Sequence, residues 1–187
     1  VSRSAVWLSR FLLFRLMWSS GVVKLLSGDP TWRALTAMQF HYETQPIPTW
    51  TSHFMHHLPG WFHAGEVLLM FGVELLLPFA VFGPLAWRRV AALGFAGLSV
   101  TISLTGNYGF FNLLTVVLCV PLLLQPDPQA PQSHTRPAVR RLRGAVALLL
   151  LALGAANLLG TLRLPGAGWL TPVRQALAPL HLSSRYG

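Results

Sequence analysis

Acidic residues are scarce in this chain of 187 amino acids. Five Asp and Glu residues accompany 14 Lys and Arg residues, and charged residues make up 10% of the sequence against 53% hydrophobic residues. Soluble domains carry roughly 25% charged residues, because their surfaces must be hydrated. Such a low charged fraction excludes an ordinary soluble domain and indicates an integral membrane protein.

Cysteine is nearly absent, and the common catalytic motifs are missing. The single cysteine, Cys119, lies within an apolar run, so no disulfide can form inside the chain and no CxxC zinc motif exists. The sequence also contains no GxSxG, no phosphate-binding loop and no HExxH. We therefore predict a protein that is not an enzyme and that binds no cofactor.

Apolar runs dominate what is present. At ~1.5 Å per residue, each of them is about long enough to cross a hydrocarbon layer of ~30 Å. We predict an all-α fold, a multi-pass transmembrane helical bundle of about five spans. The runs cover residues 5–26, 61–83, 90–105, 110–124 and 144–162.

Arginines lie at the ends of these runs, where positive charge orients membrane helices. Arg88 and Arg89 precede the third run, and four further arginines precede the fifth. We predict that these loops and the N-terminus are cytoplasmic, and that residues 27–60, 106–109 and 163–187 lie on the opposite side. Since orientation explains the arginines, the net charge of +9 does not indicate nucleic-acid binding.

The sequence divides into four regions. Because residue 1 is valine and the sequence ends abruptly at "SSRYG", we expect a fragment of a longer protein. The regions are a membrane helical bundle (1–124), a Pro- and Arg-rich cytoplasmic loop (125–143), a fifth transmembrane helix (144–162) and the start of a non-cytoplasmic segment (163–187).

A polar stretch between the first two runs, "HYETQPIPTW" at residues 41–50, carries candidate recognition residues. Pro46 and Pro48 bias the residues before them away from helix, so we predict rigid, extended backbone. Such a segment can bind a partner with little loss of conformational entropy. With the following "HH" pair and the turn "TGNYG", the predicted client-binding or structural residues are His41, Tyr42, Glu43, Gln45, His56, His57, Asn107 and Tyr108.

Five of the seven histidines lie between residues 41 and 63. If residues 52–58 are helical, His53, His56 and His57 project from one face, because positions three and four apart are neighbours. Two imidazoles at this spacing could bind zinc or copper, but no third ligand is specified. The alternative is an interfacial belt with polar tips in water, and we predict no metal site.

Charged residues also occur inside the first two predicted spans, and an ionisable group at membrane depth requires a partner. Counting from the outer boundary at ~1.5 Å per residue, Arg15 lies about 16 Å deep and Glu74 about 20 Å deep. Lys24 and Glu66 both lie near the boundary. We predict the ion pairs Arg15–Glu74 and Lys24–Glu66, which hold two spans together. A proton or ligand site is the alternative.

Four stretches of the sequence are distinctive: "RLMWSSGVVKLLSGDPTWRALTAMQFHYETQPIPTW", "HHLPGWFH", "VELLLPFAVFGPLAWRR" and "TGNYGFFNLLT". Together they resemble the lipase maturation factor family of multi-pass membrane proteins, in order from about Arg15 to Leu124. The resemblance implies a chaperone-like maturation factor in the endoplasmic reticulum membrane, with the lipid bilayer and a secreted lipase as partners. In a bacterial relative the membrane would be the inner (plasma) membrane. The family carries a large non-cytoplasmic portion after the point where this chain stops.

The stretch "RLMWSSGVVKLL" also resembles the first helix of DoxX-like proteins and of vitamin K-dependent carboxylase relatives. This implies a bundle with Lys24 and the histidines around a site, and hence a membrane oxidoreductase or carboxylase-like enzyme that binds a quinone or a metal. A structural subunit of a larger membrane complex is a further alternative. A bound quinone, metal or haem would favour the enzyme, and a stoichiometric partner that needs no motif residue would favour the subunit.

Overall fold

The computed structural model of the protein describes residues 3–106, 108–123 and 137–161, together with residues 172 and 175. In these ranges the regular secondary structure is helical, apart from one isolated β-bridge. The prediction of an all-α fold is therefore confirmed.

The helices follow the apolar runs and continue through the polar stretch between the first two. A π-helical turn, Gly72–Leu76, connects two of the α-helices without a break. In chain order the α-helices are α1 (Arg3–Leu26), α2 (Pro30–Arg33), α3 (Ala37–Thr44), α4 (Trp50–His56), α5 (Gly60–Phe71), α6 (Leu77–Ala80), α7 (Leu85–Thr105), α8 (Phe110–Leu123) and α9 (Pro137–Thr161).

Three helical stretches in the described part of the chain are long and apolar enough to cross a membrane. They are Ala5–Leu26, Gly60–Ala80 and Leu85–Thr105, and the fourth and fifth predicted runs form the shorter apolar helices Phe110–Leu123 and Gly144–Ala156. Large apolar side chains cover their outer faces, as lipid contact requires. The protein is a multi-pass helical membrane protein.

The main core lies where α1, α7, α8 and the π-helical turn meet. Helix α1 approaches the turn closely, because a Cβ on Gly21 would lie only 2.7 Å from Leu75 Cδ2. Small residues at such crossings let backbones pack at short range. The buried side chains of this core are Leu13, Met17, Val73, Val81, Ala91, Ala92, Phe95, Cys119 and Leu122.

The π-helical turn has a local cause in the sequence. Pro78 has no N–H to donate, and its ring excludes the carbonyl group four residues earlier, that of Glu74. The chain widens instead, and the N–H of Leu77 donates to the carbonyl oxygen of Gly72. The extra residue changes the direction of side chains around the turn, and Glu74 is buried at 5% exposure.

The stretch predicted to be extended, residues 41–50, begins as helix. Residues 41–44 belong to α3, and the backbone becomes extended only at Gln45 (φ −68°, ψ 152°). The reason is that Pro46 restricts the residue directly before it and leaves the preceding turn free to be helical.

A second correction concerns the Pro- and Arg-rich loop. Helix α9 begins at Pro137, a residue type favoured in the first helical turn, and so includes residues 137–143 of the predicted loop. The rest of that loop, residues 125–136, lies outside the described residues. So does the predicted segment 163–187, apart from residues 172 and 175.

Candidate functional site

The residues between α1 and α5 form a surface at one end of the bundle, which we call the polar segment (residues 27–59). Its first turn begins at Asp29, whose carboxylate accepts a hydrogen bond from the N–H of Thr31 at 2.9 Å. Pro30 occupies the first helical position, which needs no N–H donor. The capped start of α2 thus follows directly from the sequence.

Gln45 fixes the polar segment to the end of α7. Its side-chain amide donates to the carbonyl oxygen of Thr105 at 2.8 Å and to that of Tyr42 at 3.2 Å. Next to it, Pro48 forms an antiparallel bridge with Gly106. A Cβ on Gly106 would lie 1.4 Å from Gln45 Oε1, so only glycine permits this approach.

Two threonines add to the same attachment. The hydroxyl groups of Thr49 and Thr51 both donate to the carbonyl oxygen of Leu104, the former at 2.9 Å. These bonds satisfy acceptors that a helix end leaves without intrahelical partners. The prediction that residues 27–60 and the turn after α7 lie at the same end of the bundle is confirmed. That this end faces away from the cytoplasm stays a prediction.

Beneath the surface, Tyr42, His63 and Glu66 form a hydrogen-bonded group. The hydroxyl of Tyr42 donates to Glu66 Oε1 at 2.6 Å, and Nδ1 of His63 lies 2.9 Å from Glu66 Oε2. Burial raises the pKa of Tyr42, and the hydrogen bond to Glu66 and its negative charge raise it further. The phenol therefore stays protonated and remains a donor at neutral pH.

Lys24 pairs with Glu74, which corrects both predicted ion pairs. Its Nζ atom lies 2.6 Å from each carboxylate oxygen of Glu74, whereas Glu66 bonds to Tyr42 and His63. Arg15 is half-buried and makes no ion pair within the described residues. The predicted pairs Arg15–Glu74 and Lys24–Glu66 are wrong.

The error has a geometric cause. The prediction assumed that α1 ends at the depth where the second span begins. Instead α5 packs mainly against α3, and α1 packs mainly against the π-helical turn and α6. The offset between Lys24 and Glu74, counted from Leu26 and Trp61, is about 11 residues, or about three helical turns. The polar segment occupies the space beside these extra turns.

His41 and Tyr108 connect the polar segment to the turn after α7. Their rings are stacked, with centroids 6.1 Å apart. Burial lowers the pKa of His41, the positive charge of Lys24 lowers it further, and Glu66 opposes the shift. Burial also raises the pKa of Tyr108. Both rings are therefore held in their neutral forms at pH 7.

The outer side of the polar segment is an open depression next to exposed aromatic residues. His56 Nε2 lies 3.3 Å from Glu43 Oε1 within it. Trp50 and Phe54 are 76% and 62% exposed on α4, and their ring centroids lie 5.5 Å apart. The residues that line the depression are Tyr42, Glu43, Pro48, Thr49, Ser52, His53, His56 and His57.

The predicted site residues therefore separate by exposure. Tyr42 and Gln45 are buried at 3% and 6%, so they support the surface, whereas Glu43 and His57 are exposed on it. Asn107 lies outside the described residues. The ring centroids of His53 and His57 lie 4.6 Å apart, as the predicted helical spacing requires. The described residues contain no group of three potential metal ligands.

Sequence reasoning missed several residues that build the site. His63 is the clearest of them, and its position three residues before Glu66 on one helix was a detectable signal. Gly106 and Thr49 were not detectable, because their roles depend on contacts with chain more than 50 residues away in sequence.

Comparison with known proteins gives consistent matches over the first two thirds of the chain. The family described as "Lipase maturation factor transmembrane domain" matches residues 1–129. Lipase maturation factor 2 of Mus musculus is 52% identical over 118 residues, which are 63% of this chain and 17% of that protein. For lipase maturation factor 2 of Homo sapiens the identity is 51% over 129 residues, 68% of this chain and 18% of that protein.

A second group of relatives is more distant. Lipase maturation factor 1 of Homo sapiens is 42% identical over 118 residues, which are 62% of this chain and 20% of that protein. The chain thus spans about a fifth of the length of the curated relatives it matches. No solved structure matches it.

Proposed function

The chain belongs to the lipase maturation factor family of membrane proteins, and on that premise we propose that the exposed side of its polar segment binds a secreted protein during folding. The client class we propose is a secreted lipase, because the curated relatives are named for lipase maturation. In a eukaryotic cell the membrane would be that of the endoplasmic reticulum. In a bacterium it would be the inner membrane.

The observation that carries the proposal is the composition of this surface. Exposed Trp50 and Phe54 adjoin a depression that contains Glu43 and three histidines. A surface within the hydrocarbon core would be apolar throughout, because polar groups lose hydration there. Aromatic residues beside hydrogen-bonding groups are typical of protein recognition surfaces.

The support beneath the surface suits recognition. Gln45, Thr49 and Thr51 fix the backbone to the end of α7 through three hydrogen bonds, and Gln45 also donates to Tyr42 within the segment. A surface held in this way loses little conformational entropy when a partner binds, so more of the contact energy is available for affinity. The polar segment is proposed to act by binding and not by chemistry.

Secretion of a lipase by cells that lack their own maturation factor tests the proposal. The full-length protein is expressed as wild type, as the double variant Glu43→Ala/Phe54→Ala, and as the control Leu93→Ala. Leu93 is 74% exposed in the middle of α7, away from the polar segment. We expect the double variant to reduce secreted lipase activity about tenfold or more, as loss of central interface contacts does, and the control to retain it.

Membrane levels of all three proteins are measured in parallel by immunoblot. Equal secretion by the double variant and the control, at equal membrane levels, would show that the surface binds no client. A stoichiometric quinone, metal or haem in the purified protein would instead favour a membrane oxidoreductase or carboxylase-like enzyme.

A further inference from the structure

Arg10 is buried at the end of the bundle opposite the polar segment. Its exposure is 9%, and its guanidinium carbon lies 5.5 Å from the ring centroid of Trp7, which stacks on Phe82. The Nε atom of Arg10 is enclosed and has no hydrogen-bond partner among the described residues. The face of an aromatic ring supplies only part of the stabilisation that a desolvated cation needs.

Arg88, near the start of α7, is the second buried cation at this end. It is 8% exposed, and its Nη1 atom donates to the carbonyl oxygen of Leu122 at 3.2 Å. That bond satisfies a carbonyl group at the end of α8, but Nε of Arg88 also lacks a partner within the described chain. Arg10 lies over Trp7, and Trp7 stacks on Phe82 shortly before Arg88, so the two cations lie at the same end of the bundle.

No carboxylate in the described residues is available to this pair. Asp29 bonds to Thr31, and three glutamates are occupied at or near the other end of the bundle. Two desolvated cations without a counter-charge are costly. A charge-compensating group must come from outside the described residues.

We propose that Arg10 and Arg88 form a binding site for a phosphate group, in the first instance the head group of an anionic phospholipid. A guanidinium presents parallel donors that match phosphate oxygens, and basic pockets between membrane helices bind lipid phosphates. Arg88 also lies in the first turn of α7, and the N-terminus of a helix carries a positive partial charge. A soluble phosphate compound offers the same chemistry.

Thermal unfolding of the full protein in dodecyl maltoside, a detergent without phosphate, tests this site. The probes are dioleoyl phosphatidic acid, dioleoylglycerol, which has the same chains without phosphate, and inorganic phosphate. The variants are Arg10→Gln and its matched control Arg89→Gln, which removes the same charge at an exposed position. We expect phosphatidic acid to stabilise the wild type and the control, and to bind Arg10→Gln about tenfold or more weakly.

The protein without added ligand gives an independent readout. Because Arg10 donates no hydrogen bond to the described chain, Arg10→Gln removes an uncompensated charge and should raise the unfolding temperature. A merely structural role would lower it. Arg88→Gln would also remove the bond to Leu122, so Arg88→Lys is the variant used at that position. We expect this variant to fold and to bind phosphate more weakly.

The outcomes separate cleanly. Stabilisation by phosphatidic acid alone supports a bilayer lipid as the ligand, and stabilisation also by inorganic phosphate supports a site open to soluble phosphates. Equal stabilisation by dioleoylglycerol, or unchanged affinity in Arg10→Gln, overturns the proposal. An Asp127→Asn variant that lowers stability only when Arg10 is present would overturn it too, because a carboxylate of the chain would then fill the site.

Discussion

The two ends of the helical bundle treat buried charge in opposite ways. At the polar segment, Glu66 and Glu74 each have a partner from a distant part of the chain. At the other end, Arg10 and Arg88 are buried without a carboxylate partner among the described residues. The same cost of desolvation is therefore met internally at one end and, as we propose, by a ligand at the other.

This difference indicates what each end can do. Internal pairs fix the backbone, so the polar segment is a preorganised surface whose exposed side chains are free to contact a partner. Cations without a carboxylate partner can instead bind an anion from outside the fold. Four of the five acidic residues lie in the described part of the chain, and all four have partners away from Arg10 and Arg88.

The largest effect on stability is expected from disrupting the ion pair between Lys24 and Glu74. Lys24→Met leaves Glu74 buried without its cation, and we expect the free energy of unfolding to fall by about 3–5 kcal/mol. Thermal or denaturant unfolding in detergent measures this loss. The double variant Lys24→Met/Glu74→Gln should recover most of it, and the exposed Arg89→Met serves as control. A loss no greater than that of the control would mean that the pair does not stabilise the fold.

The second largest effect is expected at Tyr42. Tyr42→Phe removes the hydroxyl that donates to Glu66, and hydrogen bonds to charged groups contribute about 1.5–3 kcal/mol. The control is Tyr108→Phe, because the hydroxyl of Tyr108 has no hydrogen bond within the described residues and its ring is 42% exposed. If both variants unfold at the same temperature, the Tyr42–Glu66 bond has no net stabilising value.

A smaller effect is expected where the polar segment meets α7. Gly106→Ala must displace the side chain of Gln45, and overpacking of this kind costs about 1–3 kcal/mol. Gly97→Ala is the matched control, since a Cβ there meets open space. Hydrogen exchange of the backbone around residues 104–106 should increase in the first variant alone. Unchanged exchange would show that the close approach of Gln45 is not required.

The smallest expected effect is on how the stability of the polar segment depends on pH. The pKa of His41 is lower in the folded protein than in the unfolded chain, chiefly through burial and next through Lys24. The unfolded state then binds more protons below the unfolded pKa, so stability is complete above that pKa and decreases as the pH falls. Between pH 7.5 and 5 the wild type should lose more thermal stability than His41→Phe. Parallel curves for the two proteins would contradict this assignment.

The sequence predicted the local features of the site well. The capped start at Asp29, the helix that brings His53 and His57 together and the break at Pro59-Gly60 each depend on neighbouring residues. The partners of Lys24, Glu66 and Gln45 could not be predicted in the same way. They depend on how far one span is displaced along another, and counting from assumed boundaries gave the wrong answer.

The amino-acid sequence alone determined that this is a helical membrane protein, because the length and apolarity of each run fix its cost in water and lipid independently of the other runs. Its motifs also determined the family. Only the tertiary structure decided which charges meet. The packing of α5 on α3 moves Glu74 by about three helical turns relative to α1, and an electrostatic partner is selected by distance in space rather than by position in the chain.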